Sequence, residues 1–503
     1  MFKDKFTRDV FKALVAISAI LLACKFTAGG MAVVVALAGA YFALQRQSGY
    51  LAICYVLFPM FMSFNRVVVG LSPVFLMTAR LGNLFMIAAM ILTGAGMQGR
   101  AHERLPILWM FAYCLVACLS SIDGWMPLIS YLKIAQFVLF LIGLLFVARI
   151  IQQSDQGLYQ LRCAMMAIAV IFLFGSVLAR FIPSIGYSMM ISKIESWGYD
   201  ITGAEVAAGE GMKMFNGMVC HSQMLAPVVA IMSTWVLCDM ILIVKRFSWL
   251  HGVTLATTPA LLYMSRSRGG LLDIVIVLVT VMFICVPRAR LSQVVRSKLA
   301  LMVIGGSAVL VVIAVIAQIR TQAISRWIRK VEDVHGDTRT LHEAFTDSRT
   351  AMIAYNLNDF RLNPLLGKGF QVVRGMDRAY RAKQLSLFSA PVEKGVTPYV
   401  ILGETGLLGA GVFAIFLVAF YTTCLKRRYL ALLTLFTCNL VTNLADSTLF
   451  SPGGLGGFLW IVSCVGGFGV DLISIRQAHG TWTGPGAMNL LANVGWGNRL
   501  EMG

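Results

Sequence analysis

The chain has 503 residues, of which 58% are hydrophobic and only 13% are charged, and its mean hydropathy is +0.79. A soluble globular domain carries about 25% charged residues, so this composition excludes a water-soluble protein of the same size. The net charge of +19 does not indicate nucleic-acid binding, because much of the basic charge lies in short segments between apolar runs rather than on one soluble face.

Apolar runs recur along the chain at lengths that fit a bilayer. A hydrocarbon core of about 30 Å needs about 20 apolar residues per helix. The sequence therefore predicts an all-α polytopic membrane protein with about 12–14 transmembrane helices. The candidate spans are 10–28, 30–45, 50–64, 74–97, 105–121, 127–150, 160–183, 218–243, 248–265, 270–287, 299–318, 399–424, 429–450 and 454–475.

The charges between these runs favour one topology. If the amino terminus is cytoplasmic, alternation of the spans puts every short basic segment on the cytoplasmic side, as the positive-inside rule requires. The segment 184–217 then lies outside and is net acidic. We expect both termini in the cytoplasm. The basic residues placed inside are Lys3, Lys5, Arg8, Arg46, Arg100, Arg104, Arg149, Arg162, Lys245, Arg246, Arg288, Arg290, Arg296, Lys298, Lys426, Arg427 and Arg428.

One long polar segment, 319–398, interrupts the hydropathy pattern. It is net basic, and RTAMIAYNLNDFRLNP within it has helical periodicity. We expect a partly helical external loop packed on the bundle. The predicted organisation is therefore an amino-terminal helix bundle (1–318), the loop (319–398), carboxy-terminal helices (399–476) and a loosely ordered cytoplasmic tail (477–503).

The turn SRSRGG, residues 265–270, carries two arginines on the predicted outer side. Arginines at span ends often snorkel to lipid headgroups, which is the alternative interpretation. Two guanidiniums in a tight turn that opposes the orientation rule instead favour a diphosphate ligand, which arginine binds bidentately.

Four charged residues lie within or close to predicted spans. Such groups are costly in lipid and usually face a cavity or a partner. For each of them a purely structural ion pair is an equally good interpretation. They are Arg80, Lys133, Asp273 and Glu404.

Several segments, in this order, resemble the O-antigen ligase and polysaccharide polymerase superfamily of bacterial envelope proteins. SRTAMIAYNLNDFRLNPLLGKGF, from Ser348, and the later VEKGVTPYVILGETGLLGAG are similar to the family's arginine, its NPLxGxG turn and the ExGxxG start of its next span. SRSRGG resembles its Ser-Arg-Gly motif, and MFNGMVCHSQMLAP resembles its G-x-x-x-H-x-N-x-L motif. NLADSTLFSPGGLGGFLWIV resembles its penultimate loop and last helix, so that the resemblance covers 210–465.

The chain departs from the family pattern at two places. Ligases of the superfamily commonly have a His-Asn pair just before the ExGxxG span, where this chain has Gly395 and Val396, preceded by Glu393 and Lys394. The Glu-Lys form is similar to a variant among exopolysaccharide members. Gln223 stands where the family usually has asparagine. The identity of the catalytic base therefore stays open.

The resemblance implies a GT-C-like fold and an inverting, metal-independent glycosyltransferase without a cofactor. Its donor would be a glycan on undecaprenyl diphosphate in the bilayer of the bacterial inner membrane, with the large loop in the periplasm. Its acceptor would be another glycan or lipid A-core, and other polysaccharide-assembly proteins are candidate partners.

The residues agree with this chemistry. Preorganised guanidiniums stabilise a departing diphosphate, and Lys394 either contacts that group or pairs with Glu393. Glu393 is the first candidate for the general base and His221 the second. No D-x-D pair or His/Cys cluster with metal-ligand spacing occurs in the external loops, which fits the metal-free mechanism that the resemblance implies. The diphosphate residues are Arg266, Arg268 and Arg349, and the orienting or structural residues are Glu404, Gly367, Gly369 and Arg80.

Polymerisation of exopolysaccharide or O-antigen repeat units is the preferred hypothesis, because the His-Asn pair of the ligases is absent. The alternative within the superfamily is an O-antigen ligase that moves the glycan to lipid A-core. A polysaccharide or lipid-linked oligosaccharide transporter or flippase also fits many spans and buried charges. It is less favoured, because the sequence has no obvious internal repeat and transporters rarely need a long basic external loop.

Overall fold

The computed structural model describes residues 5–27, 30–65, 73–93, 105–189, 213–219, 222–245, 248–265, 273–276, 279–281, 341–372, 395–445, 447–452 and 454–484. These residues are almost entirely helical. Two helices include a π-helical turn, Met240–Val244 after α9 and Val462–Gly467 between α15 and α16. The helices are α1 (Lys5–Thr27), α2 (Gly30–Leu44), α3 (Ser48–Ser63), α4 (Pro73–Leu92), α5 (Trp109–Ser120), α6 (Pro127–Ile151), α7 (Asp155–Ala179), α8 (Pro183–Gly186), α9 (Ser222–Asp239), α10 (Trp249–Ala256), α11 (Thr258–Ser265), α12 (Leu341–Leu362), α13 (Thr397–Arg427), α14 (Leu430–Ala445), α15 (Leu455–Ile461) and α16 (Phe468–Ala478).

Within the described residues, 6 helices are long and apolar enough to cross a membrane. Shorter apolar helices occupy most of the remaining predicted spans. The prediction of an all-α polytopic membrane protein is confirmed. The helix number stays a prediction, because span 299–318 and most of 270–287 lie outside the described residues. The six long helices are Lys5–Thr27, Pro127–Ile151, Asp155–Ala179, Met224–Val244, Thr397–Arg427 and Leu455–Ala478.

Two predicted regions are organised differently from the expectation. The single span 248–265 is two short helices, α10 and α11. The segment 184–217, which was predicted to be external, contains two short strands, β1 (Tyr187–Met189) and β2 (Lys213–Phe215), which pair in antiparallel fashion. Neither element leaves a strong signal in the hydropathy of the chain.

The beginning of the carboxy-terminal tail is ordered, so the prediction of a loose tail is wrong for residues 477–484. Helix α16 continues to Ala478, and Trp482 is buried. The backbone N–H and hydroxyl of Thr483 donate to Asp155 Oδ2 at 2.8 and 2.6 Å. Arg476 also pairs with Asp155. Because Asp155 lies in the first turn of α7, its carboxylate suits the helix amino terminus as well.

The most buried helices form the middle of the bundle. The apolar windows of Met224–Val244 and Leu455–Ala478 are 89% buried, whereas those of α1 and α13 are only 22% and 28% buried. Helix α9 packs against α7, α11 and α14, and α13 packs against α5, α12 and α14. Helix α13 therefore lies at the periphery of the bundle. It also contacts α12, the helix of the long loop.

Contacts between the helix ends form two sets. Within each set, the contacting segments lie on the same side of the membrane in the predicted topology of alternating spans. This grouping agrees with the predicted order of the spans. Which set faces the periplasm stays a prediction. One set includes Arg162–Asp239, Arg476–Asp155 and Tyr159–Asp9, and the other includes Trp125–Lys368, Gln371–Phe450 and Phe64–Val219.

A buried charge cluster ties three helices together at the first of these ends. Arg162 of α7, which the charge pattern assigned to a loop, lies inside the helix. Its Nε and Nη2 donate to the two carboxylate oxygens of Asp239 at 2.7 and 2.9 Å. His251 Nε2 of α10 lies 2.8 Å from Asp239 Oδ2. The guanidinium also lies 4.0 Å from the ring centroid of Phe6 on α1. Asp239 and His251 are fully buried, so this cluster fixes α7, α9 and α10 relative to one another.

Candidate active site at the loop end of the bundle

Helix α13 is broken close to its start, at the ExGxxG segment. Gly406 has φ 61° and ψ −161°, which no α-helix accommodates. In an unbroken helix the N–H groups of Leu407 and Leu408 would donate to the carbonyls four residues earlier. They donate instead to Pro364 and Leu365, at 2.8 and 3.2 Å.

The freed carbonyls of α13 are taken up by the same turn of the long loop. Lys368 N–H donates to Gly403 at 2.9 Å, and Gly369 N–H donates to Glu404 at 3.1 Å. Four backbone hydrogen bonds thus join residues 364–369 to residues 403–408, and we call this pair of segments the joint. Irregular backbone in a membrane protein persists only where its polar groups are satisfied in this way.

Glycine is required at the contact points of the joint. Gly367 has φ +71°, and a Cβ there would lie 2.4 Å from the backbone carbon of Glu404. A Cβ on Gly406 would meet the Leu365 carbonyl at 2.4 Å, and Gly369 has φ +104°. The left-handed conformation and the close approach of two backbones both select glycine.

Helices α5 and α6 and the loop between them support the joint from the other side. Ser120 Oγ donates to the Glu404 carbonyl and accepts from Gly369 N–H. Trp125 N–H donates to the Lys368 carbonyl at 3.1 Å. Ser130 Oγ donates to the Phe370 carbonyl at 3.0 Å. The NPLLGKGF turn is therefore held on a fixed surface of the bundle.

Aromatic side chains fill the interior beneath the joint. Tyr113 stacks on Phe450 with ring centroids 4.9 Å apart and an interplanar angle of 12°. Phe370, which directly follows the turn, lies 5.7 Å from Phe450, and Phe413 of α13 lies 5.9 Å from Tyr113. Glu404 is 2% exposed, so its side chain is buried in the bundle.

A second polar network lies where α13 begins and α14 ends. Asn443 Oδ1 accepts from the N–H groups of Thr448 and Leu449 at 2.8 and 2.7 Å, and from Thr397 Oγ1 at 3.3 Å. Beside it, Thr442 Oγ1 donates to Asp273 Oδ2 at 2.9 Å. Asp273 follows the SRSRGG turn in the sequence, and Thr397 follows Glu393 and Lys394. The network therefore brings the flanks of two predicted motifs together.

The flank of the Glu-Lys pair also reaches the helix that carries Arg349. Gly395 has φ +87°, and a Cβ there would lie 3.0 Å from Met352 Cβ. Met352 is three residues after Arg349 on α12. The beginning of α13 is thus packed on α12 on one side and hydrogen-bonded to α14 on the other.

The predicted site residues lie in different parts of the chain. Glu404, Gly367 and Gly369 meet in the joint, and the buried Asp273 and Lys133 are described as well. Arg349 lies on α12 and Arg80 on α4, where the helix but not the arginine side chain is described. The remaining predicted residues lie outside the described residues, and they are His221, Arg266, Arg268, Glu393 and Lys394.

The family model described as O-antigen ligase matches residues 253–414. This range begins in α10 and ends in α13 beyond the joint, and it includes SRSRGG, Arg349, NPLLGKGF and the Glu-Lys pair.

The match covers 162 of the 503 residues and supports the resemblance of this part of the chain to the O-antigen ligase and polysaccharide polymerase superfamily.

The family match has a clear boundary within the chain. The segments around His221 and Asn443 lie outside the matched range, so for them the likeness to the superfamily rests on the motifs alone. No curated protein matches the chain. Where the structure describes the chain, no three His, Cys, Asp or Glu side chains are grouped so as to hold a metal ion.

Sequence reasoning did not identify the residues that support the joint. Ser120, Trp125 and Ser130 lie in or beside an ordinary apolar hairpin of two spans, and nothing in their spacing indicates a role. Asn443 lies within the NLADSTLF segment that resembles the family, but its hydrogen-bonding role was not predicted. Only Gly367, Gly369 and Glu404 were marked by the motifs.

Asn443→Leu is expected to destabilise the protein by roughly 2–4 kcal/mol, because it leaves the buried N–H of Leu449 and the partly buried N–H of Thr448 without an acceptor. The measurement is heat-induced loss of the monodisperse peak in detergent. Thr422→Val is the matched control, since Thr422 is exposed on α13 and bonds only to carbonyls of its own helix. Equal stability of the two variants would contradict the role of Asn443.

Proposed function

We propose that this protein, which matches the O-antigen ligase family over residues 253–414, is a glycosyltransferase of that superfamily. It would transfer a glycan from undecaprenyl diphosphate to an acceptor hydroxyl on the periplasmic side of the inner membrane. We further propose that the acceptor is a second repeat unit, so that the enzyme polymerises exopolysaccharide or O-antigen.

The observation that carries the proposal is the convergence of motif flanks at the loop end of the bundle. Thr397, next to the Glu-Lys pair, is hydrogen-bonded to Asn443. Thr442, the neighbour of Asn443, donates to Asp273, which follows the SRSRGG turn by three residues in the sequence. Gly395 packs on Met352, one helical turn from Arg349. The match of residues 253–414 to the O-antigen ligase family supports the same chemistry.

In the proposed reaction the acceptor oxygen attacks the anomeric carbon of the donor glycan. The bond from that carbon to the diphosphate oxygen breaks, its electron pair leaves with the diphosphate, and the configuration inverts. Arg266, Arg268 and Arg349 stabilise the developing negative charge. Glu393 accepts the hydroxyl proton, with His221 as the alternative base. We propose that guanidiniums replace a metal ion in this step.

Glu404 and the glycines have an orienting role in this proposal. The joint holds residues 364–369 against α13, so that this turn keeps a fixed position relative to the membrane-embedded helices. Preorganisation of this kind lets positive groups stabilise a transition state without rearranging during the reaction.

The test is transfer by the purified protein in proteoliposomes, supplied with an undecaprenyl-diphosphate-linked oligosaccharide, with and without EDTA. A second lipid-linked repeat and lipid A-core are offered as separate acceptors. We expect product with EDTA present, and elongation of the lipid-linked repeat. Transfer only to lipid A-core would identify a ligase instead, and activity lost with EDTA would overturn the metal-free step.

Arg268→Ala and Arg349→Ala are expected to lower the transfer rate by at least about 100-fold, which is typical of removing a group that stabilises transition-state charge. Arg361→Ala is the matched control, because Arg361 is an exposed arginine near the end of the same helix as Arg349. Normal transfer by a variant lacking both Arg268 and Arg349 would exclude this assignment of the site.

A further inference from the structure

The joint leaves four leucines exposed side by side. Leu362 and Leu365 of the α12 end and its turn are 51% and 61% exposed, and Leu407 and Leu408 of α13 are 53% and 50% exposed. The hydrogen bonds from Leu407 to Pro364 and from Leu408 to Leu365 keep the two pairs adjacent. We call these four residues the leucine patch. If the patch faced water, each leucine would lack much of the roughly 1.5–3 kcal/mol of stabilisation that burial of its side chain provides.

The depth of this patch follows from the length of α13. At 1.5 Å per residue, the helix of 31 residues is longer than a hydrocarbon core of about 30 Å requires. The part after the break, 407–427, has the length of one crossing and ends in the basic residues Lys426 and Arg427. The break at Gly406 therefore falls near the boundary of the hydrocarbon at the other side, and Leu407 and Leu408 lie just inside it.

The exposed face of α13 continues the patch along the helix. Ile415, Val418 and Leu425 are exposed in the same way as Leu408. Their spacings of seven, three and seven residues keep them on one side of a helix with 3.6 residues per turn. Helix α13 is a membrane-spanning candidate with little of its surface buried in the protein. This side is accordingly the lipid side of α13.

We propose that the turn at 362–366 is an interfacial anchor, with Leu362 and Leu365 inserted into the hydrocarbon of the leaflet that α13 enters. The occupant of the patch is the surrounding lipid bilayer. Polar backbone at this depth is acceptable because the joint satisfies it: the Pro364 and Leu365 carbonyls accept from α13 instead of from water. The turn is thus attached to the membrane surface as well as to α13, and this anchoring is independent of the proposed function.

The test is spin labelling of Leu365→Cys in liposomes of phosphatidylethanolamine and phosphatidylglycerol. Collision rates are measured with oxygen, which partitions into lipid, and with a water-soluble nickel chelate. We expect the ratio of oxygen to nickel collisions at position 365 to be severalfold higher than at Asp123→Cys. Asp123 is an exposed residue of the loop between α5 and α6 at the same end of the bundle.

Val418→Cys supplies the lipid reference, because it lies deep on the exposed face of α13 and is 65% exposed. Wild-type protein labelled in parallel corrects for its native cysteines. Leu362→Cys gives an independent second position if Leu365→Cys is not recovered in folded form. A ratio at either position that equals the ratio at Asp123 would place the turn in water and overturn the proposal.

Discussion

Gly367→Ala is expected to disrupt the joint and to abolish most of the folded protein. Alanine in the left-handed conformation costs about 1–2 kcal/mol. Its Cβ would also lie 2.4 Å from the Glu404 carbon and 2.6 Å from the Thr405 nitrogen, and both atoms belong to backbone. Overpacking adds roughly 1–3 kcal/mol, so the sum is a large part of the stability of an ordinary domain. The measurement is the yield of monodisperse protein in detergent and its thermal unfolding midpoint.

Gly411→Ala provides the control within the same helix. No heavy atom lies within 4 Å of a Cβ at Gly411, and its backbone is not in the left-handed region. Because alanine has a better helix propensity than glycine by up to about 1 kcal/mol, this variant should be as stable as the wild type or slightly more stable. If Gly367→Ala and Gly411→Ala behave alike, the close contact in the joint does not contribute to stability.

Hydropathy predicted the bounds of several described spans closely, because the bilayer imposes a length on each apolar run. The predicted span 127–150 corresponds to Pro127–Ile151, and the predicted start at 399 lies two residues from the start of α13 at Thr397. The motifs singled out Gly367 and Glu404 as orienting or structural residues, and both lie in the joint. These signals are local, because each depends on residues that are close together in the chain.

The support of the joint was not predictable, because it depends on pairs that are far apart in the chain. Ser120 and Gly369 meet across 249 residues, and Thr397 and Asn443 meet across 46. Serine, threonine and asparagine are common in membrane helices, so their presence does not indicate which partner they have. The break at Gly406 was equally hidden, since a glycine in an apolar run is compatible with an intact helix.

The buried charge cluster of Arg162, Asp239 and His251 was not predicted from the sequence for a different reason. The positive-inside rule assigned Arg162 to a cytoplasmic segment. This rule counts the basic residues near span ends, but it does not reveal whether one of them is buried. Asp239 was not singled out, because a single acidic residue close to the end of a span can equally face water. Only the packing of α7, α9 and α10 brings the two charges together.

Asp239→Ala is expected to destabilise the protein by roughly 3–5 kcal/mol, which is typical of removing one partner of a buried ion pair. The substitution leaves the Arg162 guanidinium buried with its carboxylate gone, and it also removes the partner of His251 Nε2. The measurement is the thermal unfolding midpoint in detergent. Asp123→Ala is the control, since exposed positions change stability by about 0.5 kcal/mol or less.

A second substitution distinguishes an unpaired charge from simple loss of packing. Replacing a whole buried pair with apolar residues is often neutral or stabilising, whereas breaking it is costly. Arg162→Met in the Asp239→Ala background should therefore recover part of the lost stability, because it removes the charge that Asp239→Ala leaves uncompensated. If the double variant is instead less stable than either single variant, the contribution of Asp239 lies in its packing and not in its charge.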